Sequence, residues 1–232
     1  MAGRTIAGRY ELVEPLGSGW RARDTELERD VFVQVGAAAG GGATALAHPS
    51  IARIFDQGDE DGERYAVSEY LPGGSLAERP DLSEGEALAV AAAVAAGLAY
   101  AHEQGVAHGS LSAEQVLFDG EGRAKVAGFG AGGEPEDDVR AFGGILDSLA
   151  AAAPALAPVA AAALAGELTS AELLDQIPRP APAPAPAEEQ TAIQQAAVPP
   201  PSRRGPNTLI AIAALAALAG GLAAAFVATG GD

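Results

Sequence analysis

His108-Gly109-Ser110-Leu111-Ser112-Ala113-Glu114-Gln115-Val116-Leu117-Phe118-Asp119-Gly120 is the stretch from which the architecture of this chain can be worked out. Val116 to Phe118 and Ala124 to Ala127 are short apolar runs on either side of Asp119-Gly120. That dipeptide accepts the positive φ angles of a tight turn, so a hairpin is expected. Upstream, Ser83-Glu84-Gly85-Glu86 fits a capping box, and the apolar run from there through Tyr100 reads as one long helix. Further back, Tyr10-Glu11-Leu12-Val13-Glu14-Pro15-Leu16 alternates like a strand and runs into Gly17-Ser18-Gly19. Val31-Phe32-Val33-Gln34-Val35 is a second strand, and Ile51 to Asp56 and Tyr65 to Tyr70 flank an Asp61-Gly62 turn. Strands first and helices after predict an α+β fold.

The chain has 232 residues, room for one or two domains. It is 48% hydrophobic but only 5% aromatic, so alanine supplies much of the apolar content and the core rests on scattered Leu, Val, Ile, Phe and Tyr. A formal net charge of -17 repels phosphate backbones and excludes a nucleic-acid function, since such binding depends on Lys and Arg. It also opposes lying flat on an anionic leaflet. The absence of cysteine excludes disulfides and thiolate metal sites. His48, His102 and His108 have no local metal-ligand spacing, so no metal site is expected. Met1-Ala2-Gly3-Arg4-Thr5 offers no apolar h-region, and no secretory signal is expected.

Composition divides the chain into a tail (1–8), a globular zone (9–177), a Pro-rich linker (178–207), a membrane-spanning helix (208–228) and an extracytoplasmic tail (229–232). In the linker Pro178, Pro180, Pro182, Pro184 and Pro186 alternate with Arg or Ala, which favours a semi-rigid polyproline II spacer. From Leu209 to Val227 all 19 residues are apolar or glycine, long enough to cross a bilayer and without the polar face of a soluble amphipathic helix. The competing reading is a buried Ala-rich core helix. Arg203 and Arg204 precede the span, so the globular zone is placed in the cytoplasm, with a single-pass anchor in the cell membrane. Ala216 with Gly220, and Ala217 with Gly221, have the small-xxx-small spacing of a weak transmembrane dimer.

Several landmarks resemble, in order, those of the membrane-anchored bacterial Ser/Thr protein kinases. Arg9-Tyr10-Glu11-Leu12 through Gly17-Ser18-Gly19 resembles the first strand and nucleotide loop, and Arg21-Ala22-Arg23-Asp24 the second strand. His48-Pro49-Ser50-Ile51 resembles the HPNI segment, and Ser68-Glu69-Tyr70-Leu71-Pro72-Gly73-Gly74-Ser75-Leu76 the hinge. Tyr100-Ala101-His102 to His108-Gly109-Ser110-Leu111 resembles the approach to the catalytic loop. Gly128-Phe129-Gly130 stands where DFG is expected, and Asp138-Val139-Arg140-Ala141-Phe142-Gly143 resembles the start of the central C-lobe helix. The resemblance implies a kinase-like bilobal fold over 9–177, truncated: a reduced αC helix, no activation segment between Ala131 and Asp137, and a shortened C-lobe.

At the positions the family uses for catalysis the resemblance places other residues. Gln34 stands for the strand-three lysine, Ser110 for the catalytic aspartate, Ser112 for the loop lysine, Gln115 for the metal-binding asparagine and Gly128 for the DFG aspartate. The expectation is therefore a family member that is not an enzyme, with no catalytic residues, no metal site and weak or absent ATP and Mg²⁺ binding. Gly17 and Gly19 are a remnant nucleotide loop, Phe32 would plug the adenine pocket, and Glu69 and Leu71 belong to the hinge. His48, His102, His108, Phe129 and Asp138 are read as internal packing and hydrogen-bonding residues. The function expected is a membrane-tethered scaffold or regulator binding a cytoplasmic signalling protein. The alternatives are a phospho-acceptor tether for a phosphothreonine-binding partner, with Thr191 in Glu188-Glu189-Gln190-Thr191 as the acceptor, and a kinase remnant without function.

Overall fold

The computed structural model describes residues 3–36 and 42–178. Its first half is an antiparallel sheet: β1 (Thr5–Ile6), β2 (Tyr10–Leu16), β3 (Gly19–Asp24), β4 (Arg29–Val35), β5 (Ile54–Glu60) and β6 (Glu63–Glu69), in the order β1-β2-β3-β4-β6-β5. Registers Leu12↔Ala22↔Val31 and Trp20↔Val33↔Val67 put alternate residues on one face, as the period of two requires. Ile6, Tyr10, Leu12, Val31, Val33 and Val67 are buried there as the sheet's own core. Ile6 comes from the segment read as a tail, 1–8, which supplies β1 instead.

Bulges between Leu12 and Glu14 and between Ile54 and Asp56 curl the sheet. The curl brings the β1 end to the β5–β6 turn: Ala7 N–H donates to Glu60 Oε1 at 3.1 Å, and Tyr10 OH to Asp56 Oδ2 at 2.9 Å. Arg9 and Asp24 lock β2 to β3 through two parallel 2.8 Å hydrogen bonds. Asp24 is fully buried, and Arg9, together with the N–H groups of Leu27 and Glu26, holds its carboxyl far below the usual carboxylate range.

Asp61 and Gly62, with φ of 55° and 81°, make the expected tight turn between β5 and β6. Two other boundaries differ from expectation. Ile51 does not begin β5, because Val126 N–H donates to Ser50 O and Ala52 N–H to Val126 O, committing residues 50–52 to another strand. At Asp119-Gly120 the turn is longer than two residues. Asp119 Oδ1 accepts from Glu121 N–H and Arg123 N–H, and Gly122, with φ of 79°, takes the left-handed position.

The second half packs α1 (Glu84–Glu103), the β7 (Val116–Phe118) and β8 (Ala124–Val126) hairpin, α2 (Pro135–Leu149), α3 (Ala157–Ala165) and α4 (Ser170–Gln176). Ser83 and Glu86 form the predicted capping box at α1. This helix is, among the described residues, the one long and apolar enough to cross a membrane, and half of it is buried inside the fold. Ala87, Ala91, Val94, Ala95, Leu98 and Ala101 form its inner face, where small side chains let neighbouring segments approach closely. Phe142, Leu146 and Leu156 complete this second core. A 3₁₀ turn at Ala43–Ala45 lies where a helix between β4 and β5 was expected to be reduced. The linker, the span at 208–228, its dimer spacing and Thr191 lie outside the described residues.

Candidate functional site

The segment after α1 is held by one buried carboxylate. Asp138, in the first turn of α2 and 1% exposed, accepts from the N–H groups of His108 (2.6 Å) and Gly109 (2.8 Å) and pairs with His102 Nε2 (2.9 Å). Burial opposes its charge, but these hydrogen bonds prevail and keep the carboxyl below its ordinary value. His108 lies against Phe129, ring centroids 4.8 Å apart, and its Nε2 meets Ala127 O at 2.8 Å. Ser110 N–H donates to His108 Nδ1, which leaves Nε2 as the ring N–H that donates to that carbonyl, and burial lowers the imidazole pKa. His48 stacks on Tyr100 at 5.1 Å. These residues are the internal supports that were expected.

This frame positions Ser110, Ser112, Gln115 and Gly128. Ser112 Oγ donates to Gln115 Oε1 at 2.5 Å, and Ala127 N–H donates to Gln115 O. Gly128 faces Gln115: a Cβ added there would lie 3.5 Å from Gln115 Cγ. Ser110 is exposed, its N–H donating to His108 Nδ1 at 3.2 Å. The lower wall of the site thus offers hydroxyl, amide and backbone groups.

The upper wall is formed by β4 and the β2–β3 loop. Gln34 Nε2 donates to Ser18 Oγ at 2.9 Å, and the Phe32 ring lies against Gly19, where an added Cβ would stand 2.6 Å from Phe32 Cζ. Only glycine fits at position 19, because the added Cβ would also stand 2.6 Å from the backbone oxygen of Val33. No hydrogen bond joins Gln34 to the lower group among the described residues. At the hinge Leu71 is buried, and Glu69 accepts from Lys125 Nζ at 2.6 Å, tying β6 to β8 across the two cores. The sequence reading missed this pair, although Lys125 is the chain's single lysine.

Directly over the loop runs the short link from Gly130 to α2. Gly109, at φ 83°, touches it: an added Cβ would sit 1.6 Å from Gly132 O, and a Cβ on Gly133 would lie 3.4 Å from Gly109 Cα. Gly109→Ala combines a left-handed backbone penalty with a backbone clash. It is expected to cost about 2 kcal/mol or more, read as a lower urea midpoint, whereas Gly132→Ala, facing open space, loses only the backbone part.

Comparison with known proteins agrees with this geometry. Residues 43–150 match the family model described as "Protein kinase domain". PrkC, a serine/threonine-protein kinase of Bacillus subtilis, is 29% identical over 153 residues, covering 56% of this chain and 24% of that protein. CBL-interacting protein kinase 12 of rice (Oryza sativa subsp. japonica) is 30% identical over 157 residues, covering 58% of this chain and 29% of that protein. The crystal structure of a single-site mutant of the Mycobacterium tuberculosis PknI kinase domain superposes with a TM-score of 0.62 at 23% identity, covering 76% of this chain and 97% of that one. The chain spans about a quarter of the length of the first curated relatives it matches. These matches correct one expectation. The chain was expected not to be an enzyme, but the family model and the relatives are protein kinases and point to a kinase.

Proposed function

We propose, from the premise that this chain carries a protein-kinase-like domain related to the Ser/Thr kinases, that it acts as a membrane-tethered scaffold or regulator that engages a cytoplasmic signalling protein. Engaging a partner and belonging to a kinase family are compatible properties, and the proposal concerns the first. The supporting observation is the upper wall: Gln34 is hydrogen-bonded to Ser18, and Phe32 fills the space beneath Gly19. The loop is thus held down on the sheet by side chains of the same domain. ATP and Mg²⁺ binding is proposed to be weak or absent. The Phe32 ring competes for the adenine volume, and Ser112, Gln115 and Gly128 bring no carboxylate, a poor fit to a small hard cation that prefers anionic oxygens.

The apolar run 209–227, preceded by Arg203 and Arg204, would hold the domain at the cytoplasmic face through a single span, with weak helix pairing in the membrane. The 178–207 spacer would display the domain at roughly up to 90 Å from the bilayer if fully extended.

Two measurements test this reading on the full chain in nanodiscs. Millimolar ATP with Mg²⁺ is expected to leave the melting temperature unchanged. Ligand at about a hundred times its Kd would add about 2.7 kcal/mol, so a clear rise overturns the weak-binding part. In cells lacking the chain, a variant with Ser110, Ser112 and Gln115 all changed to alanine is expected to restore the wild-type phosphorylation pattern. Failure of a folded variant to do so assigns the role to the site's chemistry and overturns the scaffold.

A further inference from the structure

Gly143 and Gly144 stand side by side on α2 and meet different surroundings. A Cβ on Gly143 would strike Leu164 N at 2.9 Å and Ala163 Cβ at 3.1 Å, because α3 covers that side. On Gly144 it would meet nothing within 4 Å. Gly144 opens onto a groove of about 430 Å³ between α2, the loop at Leu111–Ala113 and the 3₁₀ turn at Leu76–Glu78. Leu76, Leu82, Leu111, Ile145 and Leu149 give it an apolar lining. On α2 the lining residues Ala141, Gly144, Ile145 and Ser148 follow the i, i+3, i+4, i+7 spacing, a shallow face onto which a second helix can lay a ridge.

The charge around this groove is predominantly acidic: Arg140, next to the lining residue Ala141, is paired with Asp137 at 3.1 Å and lies beside Gly166. Glu78, Asp81, Glu114 and Asp147 are exposed, and each adjoins a lining residue in sequence. Glu78 accepts the Ser75 N–H, which lowers its pKa and keeps it ionised. The one cation in the lining, Arg79, is committed elsewhere: its Nη2 donates to Gly73 O at 2.7 Å and its guanidinium lies 3.9 Å from the Phe118 ring centroid. An apolar floor inside an acidic rim complements a helix with leucine-type anchors on one face and Lys or Arg beside them.

We propose that this groove docks a basic amphipathic helix of a partner protein. The proposal rests on the partner-binding reading above and supplies the chemistry of that partner. Leucine-type side chains would enter beside Gly144 and Ile145, while the rim carboxylates meet the cations and set the salt dependence.

The test uses the full chain in phosphatidylcholine nanodiscs, with empty nanodiscs as blank. The probe is a fluorescein-labelled helical peptide of Leu and Lys, with Leu at i, i+3, i+4 and i+7, read by anisotropy beside a twin carrying Glu for Lys. The Lys probe is expected to bind at least about tenfold more tightly than its twin. Gly144→Leu fills the groove from within and is expected to weaken binding about tenfold without lowering the melting temperature, since leucine is the better helix former. Ser148→Phe blocks the same space from the next turn and is expected to do the same. Asp81→Lys with Asp147→Lys is expected to weaken binding and flatten its salt dependence. Equal binding of both probes, or binding unmoved by both groove-filling variants, overturns the proposal. So does a dimer that Gly144→Leu abolishes, because the groove would then belong to a second copy of the chain. Neither outcome is read from the phosphorylation-pattern test, so failure of the groove and failure of the scaffold are separable.

Discussion

Changing Asp138 to alanine is expected to cost the fold about 3–5 kcal/mol, a large share of the stability of a small domain. The carboxylate is the joint acceptor for His108 N–H, Gly109 N–H and His102 Nε2, and it is almost fully enclosed. Removing it leaves two backbone donors without partners and deprives His102 of its acceptor, while His102 Nδ1 is already buried and unpaired. Asp138→Asn keeps one carbonyl oxygen and should lose less. Urea denaturation compares the three proteins, and a loss below about 1 kcal/mol for Asp138→Ala would show that the loop is held by other means. The same cluster sets a pH dependence. His108 has a lowered folded pKa, so the unfolded chain takes up its proton first, and stability falls as pH drops below about 6.5. Asp138 also has a lowered folded pKa; its contribution is complete above about pH 3.9 and is lost as pH falls through the folded value. Urea midpoints are therefore expected to decline from pH 8 to pH 5 and more steeply below pH 4.

Local chemistry was legible in the sequence wherever the causing residues lie within a few positions of each other. Ser83 with Glu86 announces the start of α1, and Asp61-Gly62 announces the β5–β6 turn, because cap and turn geometry are complete within four residues. The order of the kinase-like landmarks carried the fold, and Arg9 and Asp24, which stand at the ends of two such landmarks, prove to be partners in one ion pair whose carboxylate is buried. Contacts that depend on register or on a missing neighbour were not legible. Gln34 reaches Ser18 only because β3 and β4 pair as they do, and Lys125 reaches Glu69 only because β8 lies beside the hinge. Nothing adjacent in the chain reveals that Gly109 must be glycine; that follows from Gly132 crossing above it. Gly122 rather than Gly120 takes the turn at β7–β8 because the Asp119 side chain organises a longer loop around itself, a competition that a dipeptide pattern does not encode.

Adding charge at the site is expected to raise phosphoryl transfer by at least about a hundredfold over the parent chain, which serves as the baseline. A general base alone commonly contributes about 10² to 10⁴ in rate, and ionic partners stabilise phosphoryl charge more strongly than neutral donors. The variant is Gln34→Lys, Ser110→Asp, Gln115→Asn and Gly128→Asp in one chain, and the local geometry admits it. Ser110 is exposed. A Cβ at Gly128 has its nearest neighbour, Gln115 Cγ, at ordinary contact distance, and aspartate tolerates the left-handed backbone there better than most residues. Lysine at 34 exchanges the amide that donates to Ser18 Oγ for a longer, charged donor. Because Phe32 still occupies the space under Gly19, the gain should be larger when Phe32→Ala is added, and the added change should act on the KM for ATP more than on kcat. Radiolabel transfer to a generic protein substrate measures the rates, with thermal melts confirming that each variant is folded. A folded quintuple variant no faster than its parent would show that the charge of the site is not what limits transfer.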